Sequence, residues 1–337
     1  MKNLSSFLKC YIVISLISVT IISGKIWYVD QNTANNPDFT TLQAAHDGAA
    51  SGDTIYVAGF NNSYGYLTLT KKLFIFGPGY FLYENSDTQV RPAEAIVGHI
   101  TFQTGSEGSL ITGLSVYSSG YIRISVDKVI IKRNKVISDY GSPLITVTDN
   151  SSNVSIVQNY VVGSRYAAIS IGNYCYNIIV ANNYLEGGEY NRTALTCTEN
   201  SSMDLQNNIF LRSVKIYNSI FYNNIQKDGS FSGSSNDIKN NIGNSTQFGT
   251  DNGNQSNIDM STVFTDTGST DGKWQLKENS PAKGAGFSGE DCGIFGGNNP
   301  YVLSGLPAIP AIYYIDAPTT GTDKQGLPVT IKIKAHN

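Results

Sequence analysis

The sequence is poor in charge, cysteine and histidine, and each shortage argues against a class of protein. Charged residues make up 15% of the 337 residues, and the formal net charge is −3, so we expect no basic surface of the kind that binds nucleic acid. Four cysteines do not suffice for a disulfide framework in a chain of this length. His46, His99 and His336 lie far apart in sequence, and no pair of them has the spacing of zinc ligands.

The sequence also lacks a hydrophobic run long enough for a comfortable membrane span. Its main apolar run, residues 11–22, follows Lys2 and Lys9 and ends at Ser23 and Gly24, which is typical of a signal-peptide core. We therefore predict a cleaved secretory signal over residues 1–24 and no membrane insertion after cleavage. We expect the mature protein to be a monomer outside the cytoplasm.

A phrase with asparagine at its centre is present four times at nearly constant spacing. Its central asparagines are residues 134, 159, 183 and 208, so the steps are 25, 24 and 25 residues. Apolar residues alternate on both sides of each asparagine, which predicts a strand, a sharp turn and a second strand. A period of this size indicates a solenoid. The copies are Ile131–Val136, Ile156–Val161, Val180–Leu185 and Leu205–Phe210.

The repeated asparagines predict a ladder of side-chain amides inside the turns. Coils stacked about 4.8 Å apart place equivalent residues above one another, and stacked asparagines can hydrogen-bond along the axis. Gly113 occupies the corresponding position of an earlier coil, which indicates that the turn requires a positive φ. These residues predict the fold and carry no information about a ligand.

The two ends of the solenoid have different patterns. In residues 39–57, Leu42, Ala45 and Ala49 share one helical face, which predicts a helix that caps the open end of the stack. We expect residues 243–270 to form a surface loop, residues 300–310 a proline-rich strap and residues 329–334 a strand. That strand closes its own stack or joins another chain. The predicted units are the signal peptide, a β-helix over residues 25–297, and a strap with a terminal strand over residues 298–337.

These segments resemble the pectin-lyase-like superfamily, and more narrowly secreted proteins of Bacteroidetes-type bacteria. The matching pieces are the entry at residues 39–57, the first coil at 67–79, the asparagine phrase, and residues 280–286 and 293–297. The resemblance implies an all-β, right-handed parallel β-helix at a bacterial cell surface or outside the cell. The superfamily contains polysaccharide lyases, glycoside hydrolases, adhesins and scaffolds, so the fold alone does not define an activity.

The resemblance also implies where a substrate would lie, namely along the first strand of each coil and the turn leading into it. Lyases there use arginine or lysine to remove the proton next to a uronate carboxylate, commonly with calcium. Arg123 is the basic residue on that strand, and Asp149 and Glu199 lie at strand ends. We predict no cofactor, with calcium kept as an alternative.

The turns leading into that strand are rich in tyrosine and charge. They carry Tyr140, then Arg165 and Tyr166, then Glu189, Tyr190 and Arg192. Tyrosine rings can lie against sugars, and arginine can bind a carboxylate. The predicted catalytic residues are Arg123, Arg165 and Glu189, and the predicted substrate-binding residues are Tyr140, Asp149, Tyr166, Tyr190, Arg192 and Glu199.

Three functions remain open from the sequence. The first is a glycan-binding protein that engages polysaccharide between Arg123 and Arg192, with no enzymatic activity assigned. The second is a polysaccharide lyase or glycoside hydrolase, with Arg123 or Arg165 as the base. The third is a structural or adhesive rod, which requires nothing of this face.

Overall fold

Three parallel sheets wind around one hydrophobic core to form a right-handed parallel β-helix, which confirms the solenoid predicted from the repeat and the fold implied by the resemblance. The computed structural model describes residues 24–163, 165–190, 192–321 and 326–335; residues 1–23 of the predicted signal peptide lie outside them. Sheet A has ten strands, and sheets B and C have eight each. Each full coil runs through one strand of A, one of B and one of C.

The strands are numbered in chain order. Sheet A consists of β1 (Ile26–Val29), β2 (Thr54–Val57), β4 (Phe74–Phe76), β7 (Leu110–Thr112), β10 (Ile130–Lys132), β13 (Ser155–Val157), β16 (Ile178–Ala181), β19 (Met203–Gln206), β22 (Ile220–Tyr222) and β25 (Asp237–Lys239). Sheet B consists of β5 (Ala95–Val97), β8 (Leu114–Ser118), β11 (Lys135–Ser138), β14 (Tyr160–Gly163), β17 (Tyr184–Glu186), β20 (Ile209–Leu211), β23 (Ile225–Asp228) and β26 (Ile242–Gly243). Sheet C consists of β3 (Leu67–Leu69), β6 (Ile100–Phe102), β9 (Ile122–Ile124), β12 (Ile145–Val147), β15 (Ile169–Ile171), β18 (Thr193–Cys197), β21 (Ser213–Lys215) and β24 (Phe231–Ser232).

The predicted asparagine ladder lies in the turns from sheet A to sheet B and is longer than the sequence repeat indicates. Each side-chain Nδ2 donates to the Oδ1 of the next asparagine at 3.0–3.2 Å. All members are buried, so each amide satisfies groups that water cannot reach. The members are Asn134, Asn159, Asn183, Asn208, Asn224, Asn241 and Asn254.

The left-handed residue of this turn is not the ladder asparagine but the residue before it. Arg133, Gln158 and Asn182 have φ values of 53°, 58° and 54°. The strand register aligns Gly113, with φ of 71°, with Arg133. The turn therefore needs a positive φ, as expected, but one residue earlier than the ladder position that the repeat suggested.

The predicted capping helix, α1 (Leu42–Gly48), covers the N-terminal end of the stack. The Oγ1 of Thr41 caps it by accepting a hydrogen bond from the N–H of Ala44 at 3.2 Å, and Leu42 and Ala45 are buried. Cys197 is buried in the β-helix core, where it acts as a small apolar side chain. The three cysteines in the described residues are free.

After β26 the chain turns back along the stack and packs on sheet B. Val263, Phe264 and Trp274 are buried in this segment, and the Trp274 ring lies 4.6 Å from the ring of Tyr184 in β17. More than half of residues 243–270 are exposed, as expected of a surface loop, but the buried Val263 and Phe264 anchor the segment on sheet B. A few widely spaced apolar residues are enough to hold a segment on an existing apolar face.

Side chains from the left-handed turn positions hold the last part of this segment, residues 285–306. We call this part the strap; it begins before the proline-rich strap predicted over residues 300–310. The Nδ2 of Asn240 donates to the carbonyl of Ala285 at 3.3 Å. The Nδ2 of Asn182 donates to two strap carbonyls, at residues 294 and 296, each at 2.9 Å. The guanidinium of Arg133 donates to the carbonyl of Leu306 at 2.8 Å. The strap therefore runs from the C-terminal coils back toward the N-terminal coils.

The C-terminal strand forms a hairpin and does not extend any parallel sheet. β27 (Ala311–Asp316) and β28 (Thr330–Lys334) pair antiparallel. The N–H of Val90 donates to the carbonyl of Ile312 at 2.9 Å, which ties the hairpin to the body. The sequence left open whether this strand closes its own stack or joins another chain. In the structure it pairs with β27 and does not close its own stack.

Candidate functional site

The outward positions of sheet C form a hydroxyl-rich column interrupted by two basic residues. The strand register aligns Arg123 of β9 with Thr101 on one side and Thr146 on the other. Arg123 is exposed, and the two threonines are half-buried. The column consists of Thr68, Thr101, Arg123, Thr146, Ser170, Thr196, Lys215 and Ser232.

Beside this column stands a row of four aromatic rings, which we call the aromatic column: Tyr66, His99, Tyr121 and Tyr140. Successive ring centroids are 3.9, 4.8 and 4.6 Å apart, with interplanar angles of 10°, 12° and 27°. Tyr66, His99 and Tyr121 each directly precede a strand of sheet C. The parallel register of these strands therefore repeats the ring position from coil to coil. The sequence analysis found Tyr140 but missed the other three.

The aromatic column forms one wall of a groove of about 520 Å³. Because the rings stack on one another, their faces are mutually covered and their edges point outward. The phenol hydroxyls and the imidazole therefore offer hydrogen-bonding groups at a regular spacing. Tyr117, Ser118 and Ser119 line the groove as well. Tyr66 is 66% exposed, because it is the first ring of the row.

A second cluster lies in the next two turns from sheet B to sheet C. The rings of Tyr166 and Tyr190 are 5.4 Å apart and tilted by 50°, and Tyr190 is 76% exposed. The N–H of Tyr190 donates to the carbonyl of Arg165 at 3.1 Å. A Cβ atom on Gly188 would lie 2.2 Å from the Arg165 backbone, so only glycine permits this close approach of the two turns.

Glu189 does not stand free in this cluster. Its carboxylate forms an ion pair with Arg212, whose Nη1 also lies 2.8 Å from Oδ2 of Asp228. Burial opposes the charge of Arg212, but Asp228 and Glu189 outweigh that effect and raise the pKa of the guanidinium. Glu189 is thus held against Arg212 and is not free to act alone.

The arginines of the cluster have no such partner. Within the described residues, none of Arg123, Arg165 and Arg192 forms an ion pair with a carboxylate, and all three are exposed. The outward column of sheet C therefore carries two basic residues, Arg123 and Lys215, and no acidic one, although the whole chain has a formal net charge of −3.

Asp149 and Glu199 lie at the opposite edge of sheet C, in the turns that lead to sheet A. The Oδ1 of Asp149 accepts a hydrogen bond from the N–H of Asn173 at 2.8 Å, so this carboxylate stabilises the equivalent turn of the next coil. Both acids are exposed. The structure thus groups Arg165, Tyr166, Glu189, Tyr190 and Arg192, places Tyr140 in the aromatic column and Arg123 on the sheet, and separates Asp149 and Glu199 from them. The roles of these residues remain predictions.

The described residues hold neither a metal-binding cluster nor a membrane-spanning helix. No group of three or more histidine, cysteine, aspartate or glutamate side chains in the described ranges could hold a metal ion. No helix in the same ranges has the length and hydropathy needed to cross a membrane.

Comparison with known proteins assigns neither a family nor an activity to this chain. No family model matches the sequence, and no curated protein does so. Among solved structures, the chain is similar to a crystal structure of pectate lyase Pel9A, with 14% identity and a TM-score of 0.38 over 82% of this chain and 98% of that chain. A likeness this weak carries no argument about chemistry, and the β-helix is assigned from the sheet topology of the molecule itself.

Proposed function

We propose that this protein binds polysaccharide along the outer face of sheet C, as a secreted or surface-associated protein. The observation that carries the proposal is the stacked aromatic column, which lines a groove on this face. A polysaccharide that follows the helix axis would meet an equivalent set of groups in each coil, about every 4.8 Å.

Two types of contact are expected along this path. In the groove, the ring edges and the hydroxyls of Ser118 and Ser119 would exchange hydrogen bonds with sugar hydroxyls. At the ends of the path, Tyr66 and Tyr190 are the most exposed of the six tyrosine and histidine rings. Each can stack a ring face on the apolar face of a sugar.

The basic character of the face favours an acidic polysaccharide. Arg123, Arg165 and Arg192 are exposed and lack ion-pair partners among the described residues. A guanidinium binds a carboxylate in bidentate geometry. We therefore expect uronate-containing chains to bind more tightly than neutral chains, and the difference to shrink as salt is added.

The lyase alternative has less support from this geometry. A lyase needs a base and a carboxylate-neutralising group that converge on one substrate atom. Arg123 is flanked by threonines, and Glu189 is engaged by Arg212.

The test is calorimetric titration of the mature protein with uronate-containing and neutral polysaccharides, with product absorbance followed in parallel. We expect Tyr190→Ala to weaken binding about tenfold, the loss of one stacking contact. The matched control is Tyr176→Ala, because Tyr176 is 47% exposed at the opposite edge of sheet C. Equal affinities of the two variants would refute the proposed face.

Two other results would assign a different function. Unsaturated product that disappears in Arg123→Ala or Arg165→Ala would make the protein a lyase. If neither binding nor product were observed with acidic and neutral glycans, the structural or adhesive rod would be the remaining function.

A further inference from the structure

A second groove, of about 760 Å³, lies on the outer face of sheet A beside the strap. It shares no lining residue with the groove of the aromatic column. Five successive coils each contribute one outward side chain to its floor, so the floor extends along the helix axis for about 19 Å, or four strand spacings. In chain order these side chains are Lys132, Val157, Ala181, Gln206 and Tyr222.

The strap forms one wall of this groove and is held there by amides of the turns. The Nε2 of Gln158 donates to the carbonyl of Asn299 at 3.1 Å, and the Nδ2 of Asn207 donates to the carbonyl of Asp291 at 3.0 Å. The wall is therefore in place before a ligand arrives, which reduces the ordering cost of binding. It presents one exposed ring and three exposed polar side chains, namely Phe287, Ser288, Asn298 and Asn299.

The end of the groove at β22 offers the groups that bind a neutral sugar. The hydroxyl of Tyr222 donates to the Oε1 of Gln206. The Nε2 of Gln206 has no acceptor among the described residues, so it can donate to a sugar hydroxyl. The N–H of Phe287 donates to the Oδ1 of Asn223 at 2.7 Å, which places the ring of Phe287 at the β22 end. This ring is 55% exposed and can stack on the apolar face of a sugar.

The end of the groove at β10 is basic instead. Lys132 is half-buried, and its side chain forms no hydrogen bond or ion pair within the described residues. Burial, and then the neighbouring guanidinium of Arg133, lower the pKa of Lys132, and no carboxylate of the described chain acts against them. An anionic group of a ligand would supply the missing counterion.

Carboxylates predominate at the β22 end. Burial, and then the carboxylates of Asp204 and Glu290, raise the pKa of Tyr222. Lys239 attracts Asp204 but also pairs with Asp237 at 2.8 Å, so three carboxylates share one cation here. A uronate would be repelled at this end and attracted at the β10 end. The charges of the groove therefore fit a chain that presents an acidic sugar at one end and a neutral sugar at the other.

We propose that this groove is a second polysaccharide-binding site, for an acidic heteropolysaccharide whose uronate lies against Lys132 and whose neutral sugar lies against Phe287. The small side chains of Val157 and Ala181 between the two ends leave room for the intervening sugar rings. The site does not depend on the proposed function of sheet C. If both sites hold, one molecule binds two chains at once and cross-links polysaccharide, a consequence that rests on the proposed function.

Fluorescence of Phe287→Trp tests this groove directly, with the signal of the unsubstituted protein subtracted. The probe is a hyaluronan hexasaccharide, in which glucuronate alternates with a neutral sugar. In this background Lys132→Met should raise the dissociation constant about tenfold through loss of a charge-assisted contact, and Lys132→Arg should retain most of the affinity. Lys128→Met is the matched control, because Lys128 is exposed in the turn before β10 and does not line the groove. A neutral chitin hexasaccharide should bind the Lys132→Met and Lys128→Met variants equally, which a disturbed fold would not produce.

The outcomes separate this proposal from the proposed function. Tyr190→Ala in the Phe287→Trp background should leave the fluorescence titration unchanged, because Tyr190 belongs to the face of sheet C. Four results would overturn the groove proposal without contradicting binding at sheet C: no response to any hexasaccharide, equal affinities of Lys132→Met and Lys128→Met for the hyaluronan probe, tighter binding of an alginate hexasaccharide with a uronate at every position, or a response to dodecanoate alone. A groove that responds as expected, with calorimetric binding insensitive to Tyr190→Ala, would instead refute only the proposed function.

Discussion

Replacement of Asn183 by alanine tests whether the asparagine ladder holds the coils together. The Nδ2 of Asn183 donates to the carbonyl of Ile156 at 2.7 Å and to the Oδ1 of Asn208 at 3.1 Å. Its Oδ1 accepts from the backbone N–H of Asn159 at 2.8 Å and from the Nδ2 of the same residue at 3.0 Å. Asn183→Ala removes these four hydrogen bonds from a fully buried position.

The expected loss of unfolding free energy is about 4 kcal/mol, at roughly 1 kcal/mol for each hydrogen bond. The N–H of Asn159 would be left without its side-chain acceptor in the core, and an orphaned buried donor can add to this loss. Urea unfolding followed by circular dichroism measures the change. Because repeat proteins can unfold in parts, the midpoint and the slope are both compared with the wild type.

The matched control for this prediction is Asn200→Ala. Asn200 is an exposed turn residue, so its replacement should change the unfolding free energy by less than about 0.5 kcal/mol. If Asn183→Ala were as mild as Asn200→Ala, the ladder would not stabilise the stack.

Three further predictions concern other buried polar contacts. Burial alone would raise the pKa of Asp53, but hydrogen bonds, first among them that from Trp27, lower it below 3.8. The stabilising contribution of the Asp53 carboxylate is therefore present above pH 4 and is lost as the pH falls through the lowered pKa. Asp53→Asn should flatten the acid side of a plot of melting temperature against pH. Glu94→Gln should destabilise the protein by about 3 kcal/mol in urea unfolding, because Lys135 is only 3% exposed and would lose its counterion at 2.5 Å. Asn182→Ala removes the two contacts that hold strap carbonyls, so limited proteolysis should cut the strap sooner; unchanged cleavage would contradict a clamping role.

The sequence predicted the coils because the same residue types recur in it at a nearly constant spacing. Four asparagines at nearly equal steps indicated the ladder. Asn224, Asn241 and Asn254 extend it, but shorter coils break the period there. A strap was predicted, but its start at residue 285 and the side chains that hold it were not, since the amide of Asn182, which binds the strap, has the same chemistry as the amide of Asn183, which lies in the core. Only the backbone conformation of the turn distinguishes the two.

The candidate site was predicted in part for a similar reason. Tyr140 lies in the regular coils, whereas Tyr66, His99 and Tyr121 belong to early coils of variable length. A local signal was nevertheless present, because each of these three residues directly precedes an apolar, polar, apolar triplet that forms a strand of sheet C. The ion pair between Glu189 and Arg212 joins successive coils and leaves no short-range pattern.

Hydroxyl-radical footprinting with and without a bound uronate-containing polysaccharide tests the central claim most directly. Tyr66 and Tyr190, on the proposed face, are 66% and 76% exposed, and Tyr174 and Tyr176, at the opposite edge of sheet C, are 52% and 47% exposed. All four therefore react in the free protein. We predict that the polysaccharide protects Tyr66 and Tyr190 and leaves Tyr174 and Tyr176 unchanged. Protection confined to the opposite edge, or equal at both edges, would contradict binding along this face.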